Sequence, residues 1–69
     1  MLAQVALLRS RAQYENAVRV LSDAIGQPLP SATRERLSFE LGSILTHQLH
    51  DRARACAHWA RHEQEHPGG

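Results

Sequence analysis

Apolar residues recur three or four positions apart through most of the chain, and this spacing predicts amphipathic helices. The pattern is clearest in the stretch 37–67, which reads LSFELGSILTHQLHDRARACAHWARHEQEHP. It predicts one helix from about Ala32 to Gln48 and another from about Arg52 to His66. Asp51 stands before the latter in the position of an N-cap. The two helices are expected to form an antiparallel hairpin.

The two helices of this hairpin are expected to bury side chains of different size. The third helix of the chain offers large residues, namely Leu37, Leu41, Ile44 and Leu45. The fourth helix offers a narrow stripe of small residues with Trp59 as its one large anchor; the stripe is Ala53, Cys56 or Ala57, and Ala60. Small residues facing leucine and isoleucine allow two helices to pack closely.

The first half of the chain predicts a second hairpin. Its helices run from Leu2 to about Arg11 and from Ala12 to Ile25, and the latter is expected to end at Gly26, before two prolines. The apolar face of that second helix consists of Tyr14, Ala17, Val18, Leu21, Ala24 and Ile25. Ser31 or Thr33 is expected to cap the third helix. The predicted fold class is therefore all-α, with two antiparallel helical hairpins and four helices.

The first helix is apolar on nearly every side, because Gln4 is the only polar residue among positions 1–8. Such a helix must be buried on more than one face. Either it is the most buried helix of a small bundle, or one side is covered by another chain or by further sequence. In the second case Leu2, Val5 and Leu8 form an oligomer interface.

The order of residues in the second hairpin resembles a tetratricopeptide repeat (TPR), a helix–turn–helix unit of about 34 residues. Leu41-Gly42, Ala55, Trp59 and Pro67 stand where the family has its Leu-Gly, small residue, aromatic residue and closing proline. The match leaves one extra residue in the turn at Leu49–Asp51. In the first half, Tyr14, Ala17, Leu21 and Ala24 match positions late in the repeat. The resemblance implies a single TPR-like domain over 1–69, with a truncated or degenerate first repeat (1–26), a linker (27–33) and a second repeat (34–67).

The resemblance also implies a function, because the first helix of each TPR unit lines a concave groove that binds a partner. The residues implied to face this partner are Arg36, Phe39, Ser43 and His47, with Arg9 from the first repeat. Phe39 lies about 200° around the helix from Leu37, so it is either covered by a neighbouring helix or exposed as a binding anchor. We therefore expect a non-catalytic protein–protein interaction module that binds a peptide or helix. The alternative is a homo-oligomerisation domain of a larger regulator.

A histidine pattern supplies the one candidate for metal chemistry. His62 to His66 fits HExxH, in which two histidines one helical turn apart bind zinc, and His58 lies one turn before them. A zinc-binding sensor or metalloenzyme using His58, His62 and His66 is the hypothesis of another class. The helix is about to end at Pro67, and no downstream residue remains for a third ligand. We therefore expect surface histidines, no metal, no cofactor and no enzyme activity.

Length and composition narrow the classes of protein to which the chain can belong. A chain of 69 residues forms one domain at most. The chain has eight basic residues, all arginines, and seven acidic ones. The arginines form no basic block, so neither nucleic-acid binding nor membrane binding is expected. The apolar run at the start is too short to span a bilayer. The single cysteine, Cys56, cannot form an internal disulfide, and this indicates a reducing, cytoplasmic setting. Its side chain is expected to be a buried filler of the helix packing.

Overall fold

The computed structural model describes residues Leu2–Pro67, which form four helices and no strand. Helix α1 spans Leu2–Ser10, α2 spans Tyr14–Ile25, α3 spans Ser31–Ser43 and α4 spans Arg52–Glu65. A five-residue π-helix, Ile44–Gln48, continues α3 and is called the π segment below. The predicted all-α class with four helices is confirmed. None of the described helices has the length and apolar character needed to cross a bilayer.

Each helix packs against the next one along the chain. Helix α1 contacts α2, α2 contacts α3 and the π segment, and both of these contact α4. Within the described chain, no close backbone contact joins α1 to α3 or α4, or α2 to α4. The helices therefore form an array in sequence order, in which α1 and α4 are the outer members.

The core lies between α2 and α3 and extends into α1, the π segment and α4. It consists of Val5, Ala17, Leu21, Ala24, Leu37, Leu41, Ile44, Leu45 and Ala55. Leu21 and Ile44 are its largest fully buried side chains. The buried faces predicted for the second and third helices are thus confirmed, because burial of apolar area selects the residues at helical spacing.

The turn between α1 and α2 is a Schellman motif. Ala12 has a positive φ of 58°, its N–H donates to the Arg9 carbonyl at 3.0 Å, and the Gln13 N–H donates to the Leu8 carbonyl at 2.8 Å. Because Ala12 is left-handed and Gln13 is the N-cap, α2 starts at Tyr14, two residues later than the sequence predicted. Helix α1 ends one residue earlier than predicted, at Ser10.

The π segment changes the end of the third helix, which was predicted to be α-helical as far as Gln48. The Leu49 N–H donates to the Ile44 carbonyl at 2.9 Å, a bond five residues long, and the Asp51 N–H donates to the Leu45 carbonyl at 3.0 Å. His50 then turns the chain with a φ of 51°. Asp51 accepts the Arg54 N–H at 3.0 Å, so the predicted N-cap of α4 is confirmed.

The predicted caps of the third helix are wrong. Pro30 is the N-cap, with no side-chain capping bond, and Ser31 is the first helical residue. A hydroxyl caps from a non-helical residue, whereas Ser31 and Thr33 both lie inside the helix. The connection between the hairpins is correspondingly short, since α2 ends at Ile25 and α3 starts at Ser31.

The small-residue stripe predicted for the fourth helix is also wrong, whereas its predicted large anchor, Trp59, packs against the core. Ala53, Cys56, Ala57 and Ala60 are all exposed. The face that packs on α3 instead carries Ala55, half-buried His58 and Trp59, and buried His62. Alanines occur on every side of this helix and do not distinguish its faces, so the large Trp59 and the hydrogen-bonding histidines decide which side is buried.

Candidate functional site

Phe39 is the exposed aromatic residue on α3, with 56% of its surface accessible. Of the two interpretations of this residue, coverage by a neighbouring helix is therefore wrong. Its ring meets Trp59 of α4 edge to face, with centroids 5.7 Å apart and an interplanar angle of 66°. Such contacts are favourable for aromatic pairs, so Phe39 is held against α4 while much of its ring faces solvent.

Trp59 is itself fixed by two contacts with α3 and the π segment. Its indole N–H donates to Thr46 Oγ1 at 2.9 Å. Its six-membered ring lies over Gly42 so closely that a Cβ built there would be 2.5 Å from Trp59 Cζ2. Gly42 of the Leu41-Gly42 pair thus leaves the space that the Trp59 ring fills. Trp59 in turn supports the ring of Phe39.

Arg36 lies where three surface grooves meet. The largest, of about 630 Å³, runs between the end of α2, the connecting loop and the start of α3. A groove of about 370 Å³ is shared with Phe39, Glu35 and His62, and one of about 240 Å³ lies between α1 and α3. Arg36 is exposed and forms no hydrogen bond or ion pair with the described residues.

The other predicted partner-binding residues are divided between two places. Arg9 lines the α1–α3 groove with Arg36, and its guanidinium pairs with the Glu40 carboxylate at 2.7 Å. Ser43 is half-buried and His47 is exposed, but neither lines the grooves that contain Arg36 or Phe39. The structure therefore brings together Arg9, Arg36 and Phe39 and leaves Ser43 and His47 apart from them.

The three residues predicted for an oligomer interface differ in exposure. Val5 is only 2% accessible and belongs to the core, and Leu8 is half-buried against it. Leu2 is 38% accessible, and Leu7, which the sequence did not single out, is 50% accessible. The exposed apolar surface of α1 is therefore formed by Leu2 and Leu7, with alanines at 3 and 6 beside them.

A buried polar cluster joins α3 to α4. Ser38 is 3% accessible and His62 is 7% accessible, and Ser38 Oγ lies 2.8 Å from His62 Nδ1. The His58 Nε2–H donates to the Ser38 carbonyl at 2.7 Å. His62 and the half-buried His58 and His66 are therefore not the surface histidines that the sequence predicted.

The spacing of these residues in the sequence was a signal for this cluster, but the alanines on every side of the fourth helix obscured it. Ser38 precedes Leu41 and Leu45 by three and seven residues, which places it on the core face of α3. His58 and His62 follow Ala55 by three and seven residues and share its face. Polar residues at core positions are buried when they hydrogen-bond to each other, and here the partners come from two different helices.

The cluster does not form a closed metal site. The rings of His58 and His62 have centroids 6.4 Å apart, and those of His62 and His66 are 5.2 Å apart. Among residues 2–67, no group of three or more histidine, cysteine, aspartate or glutamate side chains is arranged to hold a metal ion. The HExxH pattern therefore does not produce a three-ligand catalytic zinc centre from the described residues.

Arg54 forms an ionic cluster that connects the starts of α2 and α4. Its guanidinium donates to Glu15 at 2.7 and 3.1 Å and to Asp51 at 2.7 Å. The hydrogen bonds from Arg54 lower the pKa of Glu15. The Arg54 backbone N–H, and then its side chain, lower the pKa of Asp51, while both carboxylates raise the pKa of Arg54.

Comparison with protein-family models gives no match, and neither a curated protein nor a solved structure matches the chain.

Proposed function

We propose that this chain is a non-catalytic protein–protein interaction module that binds a peptide or helix of another protein on the exposed face of α3. The observation that carries the proposal is the exposure of Phe39, at 56%, on a ring held in place by Trp59. Pre-oriented aromatic side chains are typical anchors of protein interfaces. When a partner covers a large apolar side chain that is exposed on the free domain, much apolar area is removed from water, and this favours binding.

The surroundings of Phe39 indicate what the partner segment carries. Arg36 lies beside it in the same groove and forms no ion pair with the described residues, whereas Glu40 is already neutralised by Arg9. We therefore propose a segment with an apolar side chain against Phe39 and a carboxylate against Arg36. Glu35 lines this groove as well, so Arg36 orients the segment more than it attracts it from a distance.

The TPR-like character of the chain is part of the proposal. It is supported by the fit of Leu41-Gly42 against Trp59 and by the packing of each helix on its sequence neighbour. In a TPR-like arrangement α1 and α3 would line one face. The groove between these helices, with Arg9 and Arg36 on its walls, supports that assignment.

A displayed library of random peptides tests the proposal. We expect the parent chain to select segments that combine apolar and acidic residues, and Phe39→Ala or Arg36→Ala to lose them at least tenfold. Arg19→Ala is the matched control for charge, because Arg19 is an exposed arginine of α2. Circular dichroism should show that Phe39→Ala remains folded. Equal selection by the parent and by Phe39→Ala would disprove the proposal.

A homo-oligomerisation domain of a larger regulator is the second candidate, favoured by the exposure of Leu2 and Leu7 on α1. Light scattering after size-exclusion chromatography, with a chelator present, tests this candidate. A dimer that dissociates in Leu7→Glu would support it, and a monomer at all concentrations would exclude it. Val5 is not mutated in this experiment, because it belongs to the core.

A reducing, cytoplasmic setting completes the proposal. Cys56 is an exposed free thiol, and such thiols persist where disulfides do not form.

A further inference from the structure

The end of α4 places two imidazole rings, those of His62 and His66, one helical turn apart, and the His62 ring lies against the buried Ser38 hydroxyl. We propose that His62 and His66 bind one first-row divalent transition-metal ion, such as Zn²⁺, through their Nε2 atoms. Imidazole nitrogen is a preferred ligand of these ions. The described residues offer no third ligand, so water would complete the coordination of the bound ion.

His62 is prepared for this role by its contact with α3. Its Nδ1 lies 2.8 Å from Ser38 Oγ. When the Nδ1–H donates to that oxygen, the lone pair is on Nε2, where a metal can bind. Metal-ligating histidines usually donate their second ring nitrogen in this way, and the outer partner fixes both tautomer and ring orientation. Ser38 is thus a positioning residue for the site.

His66 is the second proposed ligand. Its Nε2 is buried and has no hydrogen-bond partner, and a buried polar atom without a partner is unfavourable. A bond from Nε2 to a metal ion would satisfy this atom. His66 is also the C-cap of α4, with non-helical φ and ψ of −134° and 62°, so small adjustments of its backbone do not break the helix.

The spacing of the rings favours a pair formed by His62 and His66 over one that includes His58. With a Zn–N bond of about 2.1 Å, the ion lies about 3.2 Å from each ring centroid, so two rings on one tetrahedral ion have centroids about 5.2 Å apart. The centroids of His62 and His66 are 5.2 Å apart, whereas those of His58 and His62 are 6.4 Å apart. His58 Nε2 is in addition committed to the Ser38 carbonyl.

Two imidazoles make an open, exchangeable site. Helix α4 also carries Glu63 and Glu65 near these histidines, but the described residues provide no third protein ligand. The predicted ion is thus bound reversibly, and the fold of the domain does not depend on it.

Competition between the untagged chain and a chromophoric chelator for Zn²⁺ tests the proposal. The experiment uses a Cys56→Ser background, which removes the exposed thiol as a competing ligand. We expect one ion per chain, a loss of affinity of at least tenfold in His66→Ala, and a loss of about tenfold in Ser38→Ala. His47→Ala, which removes an exposed histidine elsewhere, should bind as the parent does.

Long-range ¹H–¹⁵N spectra of the histidine rings provide a readout that a purely structural role would not change. Zn²⁺ should shift Nε2 of His62 and His66 while His62 Nδ1 remains protonated. Unfolding in chelator verifies that His66→Ala is folded. Unchanged affinity in a folded His66→Ala, or equal shifts at His47 and His50, would overturn the proposal, and neither result would bear on peptide binding at Phe39.

Discussion

Gly42 is the residue on which the close contact between α3 and α4 depends, because a Cβ there would lie 2.5–2.8 Å from three atoms of the Trp59 ring. Gly42→Ala therefore overpacks this contact at a cost of about 1–3 kcal/mol, of which about 1 kcal/mol is recovered as helix propensity. We expect a net loss of stability of up to about 2 kcal/mol by urea denaturation, with a shift in Trp59 fluorescence.

Gly26→Ala is the matched control for that substitution. Gly26 has an ordinary φ of −72°, and a Cβ there would meet its nearest backbone oxygen at 3.5 Å. Its stability should stay within about 0.5 kcal/mol of the parent. Equal losses at positions 26 and 42 would show that the Trp59 contact is not the cause.

Ala12 lies in a left-handed conformation with a φ of 58°, which costs an L-residue about 1–2 kcal/mol. Glycine adopts this conformation freely but loses about 0.5–1 kcal/mol more entropy on folding. Ala12→Gly should therefore stabilise the domain by up to about 1.5 kcal/mol. The same substitution at exposed Ala57, inside α4, should destabilise it by about 1 kcal/mol. Chemical denaturation that gave both changes the same sign would contradict the Schellman turn.

At the scale of helices, Arg54 connects two elements that share no close backbone contact, α2 and α4. Glu15 and Asp51 have lowered pKa values in the folded state because of Arg54. Their contribution to stability is therefore present above the pKa values of the unfolded chain and is lost as the pH falls through the folded ones. Arg54→Ala should lower the unfolding temperature at pH 7, and the difference from the parent should shrink below about pH 4.

Arg52→Ala is the control for this effect, because Arg52 is exposed and forms no ion pair with the described residues. Added salt should also reduce the effect of Arg54→Ala, since Arg54 and Glu15 are exposed and Asp51 is only half-buried. A difference that persisted unchanged to pH 3 would indicate that Arg54 acts through packing instead.

How much the sequence predicted also differs between the elements. The faces of α2 and α3 were predictable because leucine, isoleucine and valine recur there at one period. The face of α4 was not, because alanines surround it and its buried polar residue, His62, depends on Ser38, 24 positions away. Periodicity places each of these residues on a helix face, but it does not identify the partner on the other helix. The position of Phe39 opposite Leu37 left open whether a neighbouring helix covers it, and its exposure was seen only in the structure. The meeting of three grooves at Arg36 likewise depends on the packing angles of four helices.

At the scale of the whole molecule, the sequential array makes α1 the least supported helix. Its one packed neighbour in the described chain is α2, supplemented by the Arg9–Glu40 ion pair, and Val5 is its one buried residue. Terminal elements with few buried contacts open independently of global unfolding. We expect the amides of α1 to exchange with deuterium faster than those of α3 in dilute protein, and Arg9→Ala to accelerate that exchange while leaving α3 unaffected.

The concentration dependence of this exchange distinguishes a covered α1 from a free one. If a second copy covers Leu2 and Leu7, protection of α1 must rise with protein concentration, because association stabilises only the closed form. Leu7→Glu should abolish that rise, while Phe39→Ala should leave it unchanged. Protection that is independent of concentration would leave α1 as a mobile outer helix. Equal protection of α1 and α3 in dilute protein would show that the four helices open as a single unit, and the array would then not describe the stability of the domain.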